Sequence, residues 1–256
     1  MTKVHIAKAT VLVTGARGGI GQALVRAFLD AGAAHVIAAD RSVSVPQPQE
    51  DVRVQHVVLD VGDTASVHSA AALYSPDILV NNAGANSNMG VLEADADHAA
   101  HREMQVNYFG LLNMARAFAP AMQRRRSGAM VQLLSFAALA NIPTMGSYSA
   151  SKAAAHSLTQ ALRAELAPYG VSVIGVYPRL VDTAMTAHLA IPKASPADVA
   201  HALLVALAEG VDEVFPGNAA AAHEAFLRDP QALARDNAAR LPRQSLAAIA
   251  ALESRA

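Results

Sequence analysis

Tyr148 and Lys152 stand four residues apart in the run Tyr148-Ser149-Ala150-Ser151-Lys152, and Ser135 lies thirteen positions upstream of the tyrosine. On a helix, residues i and i+4 lie one above the other, so the phenol and the ammonium project together. An ammonium held beside a phenol favours the phenolate. A group whose free pKa is about 10 can then exchange protons near neutrality. Ser135 ends a separate strand-like run, from which its hydroxyl can hydrogen-bond the oxygen that gains or loses that proton. Such a trio suits general acid–base chemistry on a hydroxyl or a carbonyl.

A second chemical feature lies near the N-terminus. Thr14-Gly15-Ala16-Arg17-Gly18-Gly19-Ile20-Gly21 follows the strand-like Val11-Leu12-Val13 and opens an apolar helical stretch. Glycines there permit a tight turn and let the backbone approach a pyrophosphate, while the helix N-terminus offers its unpaired N–H groups to the anion. The strand before and the helix after separate this turn from a chance cluster of glycines. Nineteen residues past Gly21 the second strand-like run ends at Asp40, where a carboxylate can accept from both ribose hydroxyls. Arg17 and Arg41 could each pair with the extra 2′-phosphate of NADP. Asp40 opposes that choice, because like charges about 4 Å apart repel by roughly 4 kcal/mol at an intermediate dielectric. NAD is the expected cofactor and NADP the alternative.

The elements that must position these residues alternate in kind. Apolar runs at 11–13, 36–38, 54–59, 78–80, 130–134 and 171–176 read as buried strands, and Ala-rich stretches near 20–31, 63–72, 96–118, 147–167 and 196–209 read as helices. Near-continuous apolar strands separated by helices imply a parallel sheet covered on both faces. Right-handed crossovers then give an α/β, Rossmann-like, doubly wound sheet in a single domain, with its ligand crevice at the carboxyl ends of the strands. Residues 46–49 read as a loop, and Arg124-Arg125-Arg126 as a solvated helix exit, where cations suit the negative end of the dipole. We place the dinucleotide-binding and catalytic unit at 1–217. The segment 218–256, helical in composition at 224–227, 231–237 and 245–252 and broken by Pro230 and Pro242, is a C-terminal extension without an assigned role.

Composition excludes several function classes. The 256 residues contain no cysteine, which removes disulfides and thiolate metal sites. A net charge of −1 argues against nucleic acid as the main partner. Apolar residues make up 53% of the chain but are dispersed, with no run long enough for a membrane span and no visible secretory leader. The expectation is a cytoplasmic protein acting on a small molecule. His98 and His101 are three apart on a helix but lack the partners of a metal site. No Gly-x-Ser-x-Gly elbow is present, so a serine hydrolase is not supported.

Taken together, these motifs resemble the short-chain dehydrogenase/reductase family over roughly residues 8–216. Beside the glycine-rich turn, Asn81-Asn82-Ala83-Gly84 resembles the family's sheet-stabilising and adenosine-contacting segment, and Asp60-Val61 the pair that contacts the adenine. Asn107 sits where the family places an asparagine whose backbone carbonyl holds a water in the proton path. The resemblance implies a catalytic tetrad of Asn107, Ser135, Tyr148 and Lys152. Tyr148 would be the general acid or base, Ser135 would polarise the substrate oxygen, and Lys152 would hold the nicotinamide ribose and depress the tyrosine's pKa. It also implies cofactor contacts from Gly15, Arg17, Gly19, Ile20, Gly21, Asp40, Arg41, Asp60, Val61, Asn82, Ala83, Gly84, Tyr148, Lys152, Pro178, Val181 and Thr183. Where the family usually has Pro-Gly after the sixth strand, this chain has Pro178-Arg179, and sequence alone leaves open which way the arginine points. Ala-rich faces on the helices near 96–118 and 147–167 resemble the surfaces through which the family forms homodimers and homotetramers.

The stretch 136–146, with Ala137, Ala138, Leu139, Ile142, Pro143 and Met145, is expected to form one wall of a largely apolar substrate pocket, and 184–193 a second, mobile one. The expected reaction is hydride transfer between a nicotinamide cofactor and an apolar secondary alcohol or ketone. The alternatives are an NADPH-dependent carbonyl reductase on the same scaffold and a non-catalytic nucleotide-sensing module.

Overall fold

The computed structural model describes residues 3–42, 51–93, 95–187 and 190–239. The expected loop at 46–49 and helix at 245–252 lie outside these residues, as does part of the expected wall at 184–193. Seven parallel strands form one sheet: β1 (Thr10–Thr14), β2 (His35–Asp40), β3 (Val54–Val58), β4 (Ile78–Asn81), β5 (Gly128–Leu133), β6 (Val171–Val176) and β7 (Glu213–Val214), in the order β3-β2-β1-β4-β5-β6-β7. The order reverses between β1 and β4, which pair in register from Val11↔Ile78 to Val13↔Val80. A crevice opens at such a reversal, beyond the carboxyl ends of the strands.

Strand alternation divides the core in two. Val11, Val13, Val36, Ala38 and Val80 face one layer with Leu24, Phe28, Val199, Leu203 and Leu207, contributed by α1 (Gly19–Asp30) and α6 (Pro196–Glu209). Leu12, Ile37, Leu79, Met130 and Val173 face the other layer, built on α2 (Thr64–Leu73), α4 (Leu111–Arg125) and α5 (Gly146–Leu166). Apolar residues at successive strand positions therefore serve opposite faces, and this is why the strands read as continuous runs rather than alternating ones. The helices start where the chain supplies acceptors: Asp63 caps α2 from its side chain, and Ser195 and Asp198 form a reciprocal capping box around Pro196 at the start of α6.

Three features depart from the expected elements. The single helix expected over 96–118 is α3 (Ala96–Met104), a π-helical turn (Gln105–Gly110) and then α4, which runs to Arg125. The wider turn brings Gly110 so close to Val61 that a Cβ there would lie 2.7 Å from the valine Cγ2. Strand β7 was not expected, since two residues are too few to show a period; it pairs with Gly175 and Val176. Beyond it, α7 (Ala219–Arg228) and α8 (Pro230–Ala239) lie over the segment that follows β5, through a cluster of Phe136, Ala140 and Ala222 with Phe226 and Leu233 at its margin. The Arg124–Arg126 exit is as expected, with Arg126 closing α4 in the left-handed conformation. Among the described residues no helix is long and apolar enough to cross a membrane.

Candidate active site

Six strand ends converge on one cavity of about 390 Å³. Its floor is the turn after β1. Gly15 has φ +63°, and a Cβ on it would lie 2.9 Å from the Ala83 Cα, so the turn needs glycine on both counts. At Gly21 a Cβ would lie 2.3 Å from the Gly15 carbonyl oxygen, which allows α1 to sit directly on the turn. Gly18 precedes α1 and gives its N-terminus no side-chain cap. The first N–H groups of the helix are left for a ligand, and Gly18, Gly19, Ile20 and Gly21 all line the cavity. These residues fit a dinucleotide's pyrophosphate.

The turn is stapled to the end of β4. Thr14 Oγ1 accepts from the N–H groups of Asn82 and Ala83, both at 3.0 Å, and Asn82 Nδ2 donates to the carbonyls of Thr14 (2.8 Å) and Gly15 (3.0 Å). Asn82, Ala83 and Gly84 form the adjoining wall. Asp40, at the end of β2, lines the cavity with Arg41 and accepts from the Arg17 backbone N–H at 3.3 Å. The Arg17 guanidinium donates to Ser42 Oγ instead, and Arg17 is not part of the cavity wall. Asp60 and Val61 line the same end, the Asp60 carboxylate accepting from the Gly62 N–H at 2.8 Å.

At the opposite end stand Ser135, Tyr148 and Lys152. Ser135 starts a short 3₁₀ turn, its Oγ accepts from the Ala137 N–H at 3.2 Å, and its hydroxyl acts on the Tyr148 phenol to lower its pKa. Lys152 is 5% exposed; its Nζ donates to the Leu133 carbonyl at 2.8 Å and lies 5.9 Å from the centre of the Tyr148 ring. Burial lowers the Lys152 pKa to about 8. The expectation of a depressed tyrosine pKa is not met by the protein's own groups. Burial pushes the Tyr148 pKa up, the Ser135 hydrogen bond opposes that, and the charge of Glu103 adds to it. The physical reason is that an ammonium which is itself desolvated, and engaged with a carbonyl, does not outweigh the cost of burying a phenolate.

Asn107 lies behind the cavity wall on the π-helical turn. Its Nδ2 donates to the Ala85 carbonyl (2.9 Å) and Ser151 Oγ (2.8 Å), and its Oδ1 accepts from the Ala85 N–H (2.9 Å). Asn107 and Lys152 share the wall of a second, water-sized cavity of about 10 Å³. Pro178, Val181 and Thr183 complete the main cavity, and Arg179, whose direction sequence left open, also lines it.

Several lining residues were not expected: Leu59, Ala85, Arg102, Val106, Leu133 and Leu134. Arg102 and Val106, one helical turn apart, share a face, which was the available signal. Of the expected substrate walls, Ala184, Met185 and Thr186 line the cavity, whereas nothing from 136–146 does. Ala137 and Ala140 are buried there, and Leu139 packs under α7 and α8. Among the described residues no group of three or more histidine, cysteine and acidic side chains could hold a metal ion.

Comparisons with known proteins agree with this geometry. A family model for short chain dehydrogenase matches residues 9–193. A solved short chain dehydrogenase from Burkholderia cenocepacia J2315 in complex with NADP is 40% identical with a TM-score of 0.85, covering 91% of this chain and 99% of that one. The galactitol 2-dehydrogenase (L-tagatose-forming) of Cereibacter sphaeroides is 37% identical over 187 residues, 70% of this chain and 73% of that protein. A dehydrogenase/reductase SDR family protein 7-like from Anopheles gambiae is 33% identical over 197 residues, 71% of this chain and 62% of that protein. Against several curated relatives the match spans only 60–65% of their length. With the family match spanning residues 9–193 and a solved relative 40% identical of which 99% is covered, the chain belongs to the short-chain dehydrogenase/reductase family of oxidoreductases.

Proposed function

We propose that the protein transfers a hydride between a nicotinamide dinucleotide and the carbinol or carbonyl carbon of a small, uncharged secondary alcohol or ketone. The observation that carries this reading is the shared cavity, with an uncapped helix N-terminus and glycine turn at one end and Ser135, Tyr148 and Lys152 at the other. A nicotinamide bound between them supplies or accepts the hydride. The protein's own residues do the rest. The glycine turn holds the pyrophosphate, Asp40 accepts from the adenosine ribose, and Lys152 donates to the second ribose. Ser135 orients the substrate oxygen and stabilises charge on it, and Tyr148 gives or takes the proton at that oxygen. Asn107 holds the wall at Ala85 and the α5 turn at Ser151, which keeps Tyr148 and Lys152 in register. Ala85, Ala184 and Met185 make the reacting end largely apolar. We assign 1–217 to cofactor binding and catalysis, and the helices beyond 218 to support of the segment after Ser135.

NAD is the cofactor this site favours, because among the described residues the Asp40 carboxylate accepts only from a backbone N–H and would meet a 2′-phosphate as a like charge. Two observations favour the NADP reading instead: Arg41 lines the cavity, and the related Burkholderia cenocepacia enzyme was solved with NADP. Titration with NADH and NADPH, followed by turnover against a panel of apolar ketones and alcohols, tests both readings. Tyr148→Phe should lower kcat/KM by about 10²–10⁴ and leave cofactor affinity intact. Cofactor binding without turnover, unchanged in that variant, would point to a nucleotide sensor.

A further inference from the structure

Among the described residues Glu103 is the one buried carboxylate, 1% exposed on α3. A carboxylate is removed from water only where hydrogen bonds replace its hydration. Two short ones do so here: the Ser87 N–H donates to Oε1 at 2.6 Å, and Ser147 Oγ donates to Oε2 at 2.6 Å. No cation pairs with it among the described residues. Bonds of this length to an ionised acceptor are stronger and more directional than neutral ones.

The placement repeats a pattern already seen at Asn107. That side chain joins Ala85 to Ser151. Glu103, one turn earlier on the same helical run, joins Ser87 to Ser147, one turn earlier on α5. The two form successive rungs between the same three segments. Ser151 immediately precedes Lys152, and Ser147 immediately precedes Tyr148. The inner rung therefore sets the lysine's turn and the outer rung the tyrosine's. The geometry points to Glu103 as a positioning residue for Tyr148, which clamps the loop after β4 to the first turn of α5.

This inference rests on Tyr148 being the proton-transferring group. The charge of Glu103 favours the protonated phenol, against the Ser135 hydrogen bond. The other charged groups on the cavity wall are Lys152 on α5, Arg102 on α3 and Arg179 after β6, with Asp40, Arg41 and Asp60 towards the ribose end.

The test is the pH profile of kcat/KM for alcohol oxidation in Glu103→Gln, Ser147→Ala and Ser147→Thr. Glu103→Gln removes the charge, so the limb that rises with pH should move to lower pH. Ser147→Ala removes one bond of the rung but keeps the charge. It should lower kcat about fivefold or more, with cofactor affinity within about twofold and the limb in place. Ser147→Thr, which retains the hydroxyl, should recover most of kcat. An unmoved limb in Glu103→Gln, or a kcat loss matched by equal loss of cofactor affinity, overturns the inference. Should Glu103→Gln fail to fold, the serine pair decides: equal kcat in Ser147→Ala and Ser147→Thr overturns it. Activity surviving in Tyr148→Phe sinks the proposed function itself. An inactive Tyr148→Phe with an unmoved Glu103→Gln limb sinks only this inference.

Discussion

Replacing Lys152 with Met removes a charge that the fold buries at a cost. Lowering the ammonium's pKa from its ordinary 10.5 to about 8, at ~1.4 kcal/mol per unit, means that the charged lysine destabilises the folded state by about 3 kcal/mol at pH 7. The unfolded chain binds more protons than the folded one between those two pKa values. The penalty is therefore complete below about pH 8 and fades as pH rises towards 10.5. At pH 10 it has fallen below about 1 kcal/mol. Met fills a similar volume but leaves the Leu133 carbonyl, which accepts from Nζ at 2.8 Å, without its donor, at about 1–3 kcal/mol. Lys152→Met should then be as stable as wild type or up to about 2 kcal/mol more stable at pH 7, and less stable than wild type at pH 10. Paired urea denaturation of both proteins at the two pH values measures this, with equal m-values as the control. The variant should also lose kcat/KM by about 100-fold or more. A stability difference that is the same at pH 7 and pH 10, within about 0.5 kcal/mol, refutes the reasoning, because it would mean that the buried ammonium carries no desolvation cost.

Other perturbations read different parts of the site. Gly21→Ala places a Cβ 2.3 Å from the Gly15 oxygen and 2.7 Å from the Ala16 Cα. The turn has to open, and reduced-cofactor fluorescence should show at least a ~10-fold loss of affinity together with ~1–3 kcal/mol of destabilisation in urea. Asp40→Ala removes the charge opposed to a 2′-phosphate, so the ratio of kcat/KM for the phosphorylated over the plain dinucleotide should rise about 10-fold or more. An unchanged ratio would leave Arg41 as the determinant.

Much of the fold is legible in the residue order because its strands are buried on both faces. Val11-Leu12-Val13 and Ile78-Leu79-Val80 need no partner to be recognised, and glycines at 15 and 21 announce a turn too tight for any other residue. β7 escapes because Glu213 and Val214 are strand only by pairing with β6. The break in the long helix at 105–110 escapes because a π turn depends on what it packs against, here Val61 on Gly110. Spacing brings Tyr148 and Lys152 to one helix face, but the direction of the tyrosine's pKa depends on burial and on Glu103, which arrive from other elements. Glu103 itself lies in a polar stretch that reads as solvent-facing, between His101-Arg102 and Gln105. Part of the expected wall at 136–146 misled for the opposite reason: pocket walls and core draw on the same side chains, and Phe136, Leu139 and Ala140 pack with α7 and α8.

A crystal structure of the protein soaked with NAD tests the central claim most directly. The account predicts a pyrophosphate against Gly18–Gly21, the adenosine ribose on Asp40, and a nicotinamide whose ribose reaches Lys152 Nζ with Tyr148 and Ser135 beside its reactive carbon. A dinucleotide bound away from the β1–β4 crevice, or a nicotinamide out of reach of Tyr148, would contradict it.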